Sequence, residues 1–157
     1  MRARRLEPGW REGWWSGARH APSPNAGSRP AGERPSLVVL HSISLPPGVL
    51  HGDAVERLFL NALDVDRHAS FDGLRGLRVS AHFFVRRSGE VVQFVATHER
   101  AWHAGVSCWR GRANCNDWSI GIEIEGLEGR TFAAAQYRAL RRLLQAVVSR
   151  HPIDEVV

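Results

Sequence analysis

Hydrophobic and polar positions alternate with two different periods along this chain, and the switches between them mark its elements. Leu37-Val38-Val39-Leu40-His41-Ser42-Ile43 is a short, continuous apolar run with β-branched residues, and it predicts a buried central strand ending at His41. Pro46-Pro47-Gly48 then forces a loop. Across residues 53 to 63, Val55, Leu58, Phe59 and Ala62 recur at helical spacing behind Asp53 as an N-cap. Residues 81 to 86 and 90 to 95 flank Ser88-Gly89, a hairpin signature. Ser119 to Glu125 predicts a further strand. From Thr131 as N-cap, Tyr137, Leu140, Leu144 and Val147 repeat at steps of three and four, which predicts a long amphipathic helix. Strands interleaved with helices imply an α/β single domain, a mixed β-sheet flanked by helices. Residues 1 to 36 carry too many Gly and Pro residues for regular structure, so an irregular N-terminal arm is expected, with the domain proper at 37 to 157. Trp10, Trp14 and Trp15 are too apolar for a free linker and predict that the arm packs on the domain.

Composition narrows the class. With 157 residues, 43% hydrophobic and 24% charged, the chain suits one globular domain and not a disordered one. No apolar run approaches the roughly 20 residues that cross a bilayer. The opening Met1-Arg2-Ala3-Arg4-Arg5 is followed by a charged stretch where a signal peptide would be apolar, so a cytoplasmic location without membrane association is expected. Cys108 and Cys115 read as reduced thiols, because a single disulfide is a weak scaffold for a domain this size, and as a zinc pair with His103 they lack the second ligand pair of a structural site. The formal charge of +5 raises nucleic acid as a partner. All 21 basic residues are Arg and they scatter without an aromatic-interleaved stripe, which argues against nucleic acid and leaves an anionic small molecule as the expected partner of a monomer.

Chemistry has few candidates. In residues 119 to 125 the alternation puts Ile120, Ile122 and Ile124 on one face and Gly121, Glu123 and Glu125 on the other. A solvated acidic face explains this pattern as well as a general base does. Gly121 favours the base, since its missing side chain leaves room beside Glu123. His41 ends an apolar strand, where α/β sheets place ligand sites, and a neutral imidazole is a good zinc ligand. His82 and His103 are possible companions whose convergence spacing cannot show. Ala101-Trp102-His103-Ala104-Gly105 sets an aromatic and an imidazole among small residues, and Arg78 is a possible carboxylate clamp.

Taken together, these segments resemble the AmpD-type 1,6-anhydro-N-acetylmuramyl-L-alanine amidases of the peptidoglycan-recognition superfamily. The likeness runs in order through Gly13-Trp14, residues 22 to 24, 39 to 48, 77 to 82, 100 to 107 and 115 to 126. It implies a zinc-dependent hydrolysis of the amide between anhydro-N-acetylmuramic acid and L-alanine, on small-molecule muropeptides of cell-wall recycling. It further implies that His41 is a metal ligand, that Glu123 is the catalytic carboxylate, and that Arg78, Ser42, Trp102, His103 and Ala104 bind substrate. The family's remaining His and Asp ligands lie in a segment after the long helix, and neither His151 nor Asp154 sits in such a motif. A C-terminally truncated, inactive form is therefore expected, with the other two ligands beyond Val157; the alternative is a non-catalytic muropeptide-binding module. Ser42 stands where the family usually has Asn, and Asn114 where it has Arg, which leaves the preferred stem peptide open.

Overall fold

The computed structural model describes residues 9–157, so the Met1-to-Arg5 opening used in the location argument lies outside the described residues. A six-stranded sheet organises the chain: β1 (Arg19–His20), β2 (Leu37–Ile43), β3 (Phe83–Val85), β4 (Val91–Gln93), β5 (Ser119–Glu125) and β6 (Glu155–Val156). Their order is β6-β2-β5-β3-β4-β1. All pairings are parallel except the β3–β4 hairpin, so the sheet is mixed as the sequence predicts. β5 runs through the middle with parallel neighbours on both edges, and all seven of its residues are buried. That removes the solvated acidic face: Glu123 is 9% exposed and Glu125 3%.

Strand alternation divides the core in two. On one face Val38, Phe83, Val85, Ile120 and Ile122 pack against Ala139, Leu143 and Val147 of α2 (Ala134–Arg150). On the other, Phe84 and Val92 meet Val55, Leu58 and Phe59 of α1 (Ala54–Phe59). By the same alternation Val39, His41, Gly121 and Glu123 belong to this second face.

Both helices depart from their predicted limits for local reasons. α1 stops at Phe59 because Asn61 turns into the left-handed region (φ 58°), and Asp53 makes no capping bond, its carboxylate pairing instead with Arg57 at 2.6 Å. α2 begins after Ala133 and not Thr131. The Gln136 side chain accepts from the Ala133 N–H (2.9 Å) and donates to the carbonyls of Val85 (3.2 Å) and Glu125 (2.8 Å). Those bonds draw Gln136 inward and rotate the buried stripe to Gln136, Ala139, Leu143 and Val147. Tyr137, predicted inside, is 55% exposed, while Leu140 and Leu144 are only partly buried.

The arm is less irregular than its composition suggests. Trp10–Arg11 pairs with Trp14–Trp15, Ala26–Ser28 pairs with Glu99–Ala101, and β1 extends the sheet. Breakers separate these pieces without preventing them, because partners elsewhere supply the hydrogen bonds: buried Gln93 donates to the Gly13 carbonyl (2.8 Å) and accepts from the Trp15 N–H (2.8 Å). Trp15 is buried in the α2-side core, as its apolarity predicts.

The two helix registers differ in one measurable way. Leu143→Ala should lower unfolding free energy by about 2–5 kcal/mol and Tyr137→Ala by no more than about 0.5 kcal/mol in urea titrations, whereas the predicted stripe, which holds Tyr137 and omits Leu143, would reverse that order.

Candidate functional site

The register of β2 against β5 sets His41 opposite Glu123, so both side chains leave the sheet on the same face. Glu123 is buried among groups that offer it little: its Oε2 has no hydrogen-bond partner among the described residues. Burial raises its pKa from the ordinary carboxylate range to about 7. A carboxylate so placed changes protonation near neutrality, as a general base must.

The space beside it is filled from an adjacent loop. A Cβ built on Gly121 would lie 2.3 Å from Cγ of His103, so the glycine exists to let this ring rest on the strand. From there His103 Nδ1 meets His41 Nε2 at 2.9 Å and its Nε2 meets Ser119 Oγ at 3.0 Å. His82 lies behind, its ring edge to face with that of His103 and 6.0 Å between centroids. The three histidines that spacing could not unite therefore do converge.

Hydrogen bonds fix the state of His82. Gly121 N–H donates to its Nδ1 (3.1 Å), so Nε2 carries the proton and donates to the Glu99 carbonyl (3.0 Å). Arg29 Nη2 lies 3.2 Å from that same Nε2, but two donors cannot bond. Its hydrogens go to the carbonyls of Thr97 (3.2 Å) and Ser119 (2.9 Å), while Nη1 serves Asn116 (3.2 Å) and Asp117 (2.9 Å). This partly buried guanidinium pins the turn that leads into β5. Burial first, then neighbouring positive groups, holds His82 well below its usual pKa and His103 at about 3; burial alone lowers His41. All three imidazoles are neutral at pH 7, the form that donates a lone pair to a metal.

The remaining residues singled out in the sequence divide. Trp102, His103 and Ala104 lie at the site, held by Trp102 N–H to Ser80 Oγ (3.0 Å) and by the His103 and Ala104 amides to Asn116 Oδ1 (3.0 and 2.9 Å). Those two amides are thus engaged within the chain. Ser42 is exposed and alternates to the face opposite His41. Arg78 is exposed, takes part in no ion pair among the described residues, and lines a separate small hollow with Leu58, Asn61 and Leu74. Asn114 holds a left-handed backbone (φ 55°), a conformation Asn tolerates far better than Arg. Cys108 and Cys115 are free thiols. Sequence reasoning missed Arg29, Asn116 and Ser119 as parts of the site, since a partly buried guanidinium and a turn amide carry no periodic signal.

An open cavity of about 410 Å³ adjoins the site, lined by His41, His103, Ala104, Ser107, Trp109 and Val157 among others. Its size is ordinary for a small-molecule pocket. A catalytic zinc takes three protein ligands and an open position. Among the described residues no group of three His, Cys, Asp or Glu side chains could hold a metal, so the donors present do not by themselves fit the ion. Nor, among them, is any helix long and apolar enough to cross a membrane.

Comparison with known proteins adds an independent line. Residues 31–157 match the family model described as N-acetylmuramoyl-L-alanine amidase. The 1,6-anhydro-N-acetylmuramyl-L-alanine amidase AmpD of Citrobacter freundii is 49% identical over 141 residues, 90% of this chain and 75% of its own. A selenomethionine crystal structure of AmpD superposes with a TM-score of 0.90 at 47% identity, over 93% of this chain and 83% of that one. The Escherichia coli amidase AmiD, solved with anhydro-N-acetylmuramic acid-L-Ala-D-γ-Glu-L-Lys, gives 0.53 at 27% identity over 80% and 48%.

The buried carboxylate makes stability depend on pH. Glu123 has a folded pKa of about 7 against 4.5 unfolded, so its burial costs nothing below pH 4.5, and stability falls as pH rises to about 7. With chelator present, Glu123→Gln should remove that component, gaining about 3 kcal/mol on the parent between pH 4 and pH 8 in denaturant titrations. An unchanged difference at the two pH values would show that the carboxyl is solvated.

Proposed function

Because the chain belongs to the N-acetylmuramoyl-L-alanine amidase family and is AmpD-like in sequence and fold, we propose that its site hydrolyses the amide joining 1,6-anhydro-N-acetylmuramic acid to L-alanine in muropeptides. The observation that carries this is Glu123: a buried carboxylate with one oxygen unpartnered, its pKa near 7, opposite His41 across two parallel strands.

In this reading Glu123 takes a proton from water as the water oxygen attacks the carbonyl carbon of the amide. It then delivers that proton to the alanine nitrogen as the C–N bond breaks. One water is consumed, and the products are the anhydro-sugar acid and a peptide with a free amino group. A raised pKa serves both halves, since the group must accept and return a proton at neutral pH. Trp102 and Ala104 border the sugar and the first peptide residues; Arg78, in its separate hollow, meets a stem-peptide carboxylate only if the peptide extends past the cleft, and Ser42, on the opposite face of the sheet, is left without a substrate contact. The engaged amides of His103 and Ala104 leave peptide recognition to side chains and carbonyls.

His41 is the zinc ligand in this proposal. Two more ligands would have to come from outside the described residues, and no step of the hydrolysis is assigned to the ion. We further place the chain, as a monomer, in the cytoplasm, acting on fragments of cell-wall turnover. A muropeptide-binding module without turnover is the second reading, favoured by the incomplete donor set.

Two measurements separate these. The 157 residues alone should retain well under one zinc per chain after dialysis; a stoichiometric, tightly held zinc would overturn the donor argument. In a form that carries the complete ligand set, Glu123→Gln should keep zinc and lose at least about a hundredfold in anhydro-muropeptide cleavage, while His41→Ala should lose both. Full turnover in either variant removes its assigned role, and muropeptide binding without product release in the parent establishes the module.

A further inference from the structure

The arm hairpin carries a hollow that the hydrolysis does not use. Its volume is about 480 Å³, and Trp10 and Trp14 wall it, with Arg11, Glu12 and His20 completing the lining. It shares no lining residue with the cavity beside His41, and Trp10 packs on the α2-side core, across the sheet from Glu123. Several contacts brace it. The Trp10 ring sits edge to face on Phe83 (6.4 Å between centroids) and on His151 (6.0 Å). Buried Gln93 holds the Trp15 amide and the Gly13 carbonyl, and Thr97 N–H donates to that same carbonyl (3.0 Å). His20 Nε2 donates to the Trp15 carbonyl (2.8 Å), which leaves Nδ1 for a ligand, and its ring lies 5.0 Å from that of Trp14. A hollow fixed in this way has little left to order on binding. One residue breaks the local rule. Glu12 and Gly13 form a two-residue turn with both φ angles positive (47° and 79°), which favours Asn-Gly or Asp-Gly. Glu at the first position costs conformational energy, and what the turn gains is a carboxylate lining the hollow.

Chemistry selects the ligand. Indole rings present negative π-faces, and these attract the weakly positive C–H bonds on one face of a pyranose ring. Beside them stand a carboxylate acceptor on Glu12, guanidinium donors on Arg11 and an imidazole nitrogen on His20, the groups that pair with a rim of hydroxyls. The charges of Arg11 and Glu12 cancel, so the hollow favours neither an anion nor a cation. Its size is that of a small-molecule pocket, mostly apolar with a few polar groups converging on it. We propose that this hollow is a saccharide site, taking one neutral pyranose ring outside the catalytic cleft. It does not depend on the roles given to His41 and Glu123, and it stands if those fall.

Titration of the 157-residue chain with N-acetylglucosamine, followed by the indole N–H signals in nitrogen-15 NMR, tests this. Trp10 and Trp14 should shift together along one saturating curve. Trp14→Ala should weaken binding about tenfold. Glu12→Gly suits the left-handed turn, so it should weaken binding by a similar factor while its urea midpoint stays level or rises, a combination that a purely structural role would not give. Should Trp14→Ala fail to fold, Glu12→Gly decides alone. No shift at Trp10 and Trp14 overturns the proposal, as does a shift confined to Trp102, which would put the sugar in the catalytic cleft. Unchanged affinity in Glu12→Gly overturns it as well. So does tighter binding of choline or of glycine at the same two indoles, which would make the hollow a cation or a zwitterion site.

Discussion

Seven consecutive residues of β5 lie in parallel register with seven of β2, and the candidate chemistry depends on that alignment. Side chains in a strand have a period of two, so a slip of one residue would send Glu123 into the α2-side core and leave an isoleucine beside His41. The register is strongly specified because β5 is buried on both faces and on both edges. Ile120 and Ile122 fill one side, and only a glycine at 121 admits the His103 ring on the other. Packing on the α2 face therefore fixes the geometry of groups on the face α2 never touches.

Much of this was legible beforehand, and the misses have physical causes. The apolar run from Leu37 gave β2, which continues two residues past its predicted end at His41, and alternation gave β5 to the residue, since nothing competes with burial at the centre of a sheet. Helix ends were displaced where one polar side chain outweighed the local pattern. Gln136 is polar by composition and buried by the three bonds it makes, and no count of apolar positions anticipates that. The arm misled for a related reason, because its short strands are held by partners some 70 to 80 residues away, such as Gln93. For the site, alternation paired Gly121 with Glu123 and flagged His41. It could not find Arg29, whose meaning lies wholly in the carbonyls that surround it.

Electrostatically the site is arranged to keep nitrogen neutral and oxygen protonatable. Burial disfavours charge on either kind of group, and it acts here in the useful direction on both. The positive charge drawn into the structure beside the site is the partly buried Arg29 guanidinium, surrounded by carbonyl dipoles and not by a carboxylate. Its flat fork of donors can serve four oxygens at once, which an ammonium with three hydrogens cannot. Arg elsewhere on this lysine-free surface is a matter of composition; at position 29 it is a matter of geometry.

That position has an implication for where the working unit begins. The segment matched by the amidase family model starts at residue 31, yet the cation that gathers the carbonyls of Thr97, Asn116, Asp117 and Ser119 enters from residue 29, and Trp15 enters the core from further upstream. A fragment trimmed to the shared segment would leave four inward-facing oxygens with no donor, next to the turn that sets Ser119. The boundary that the family model draws and the boundary that folding needs are different lines on this chain.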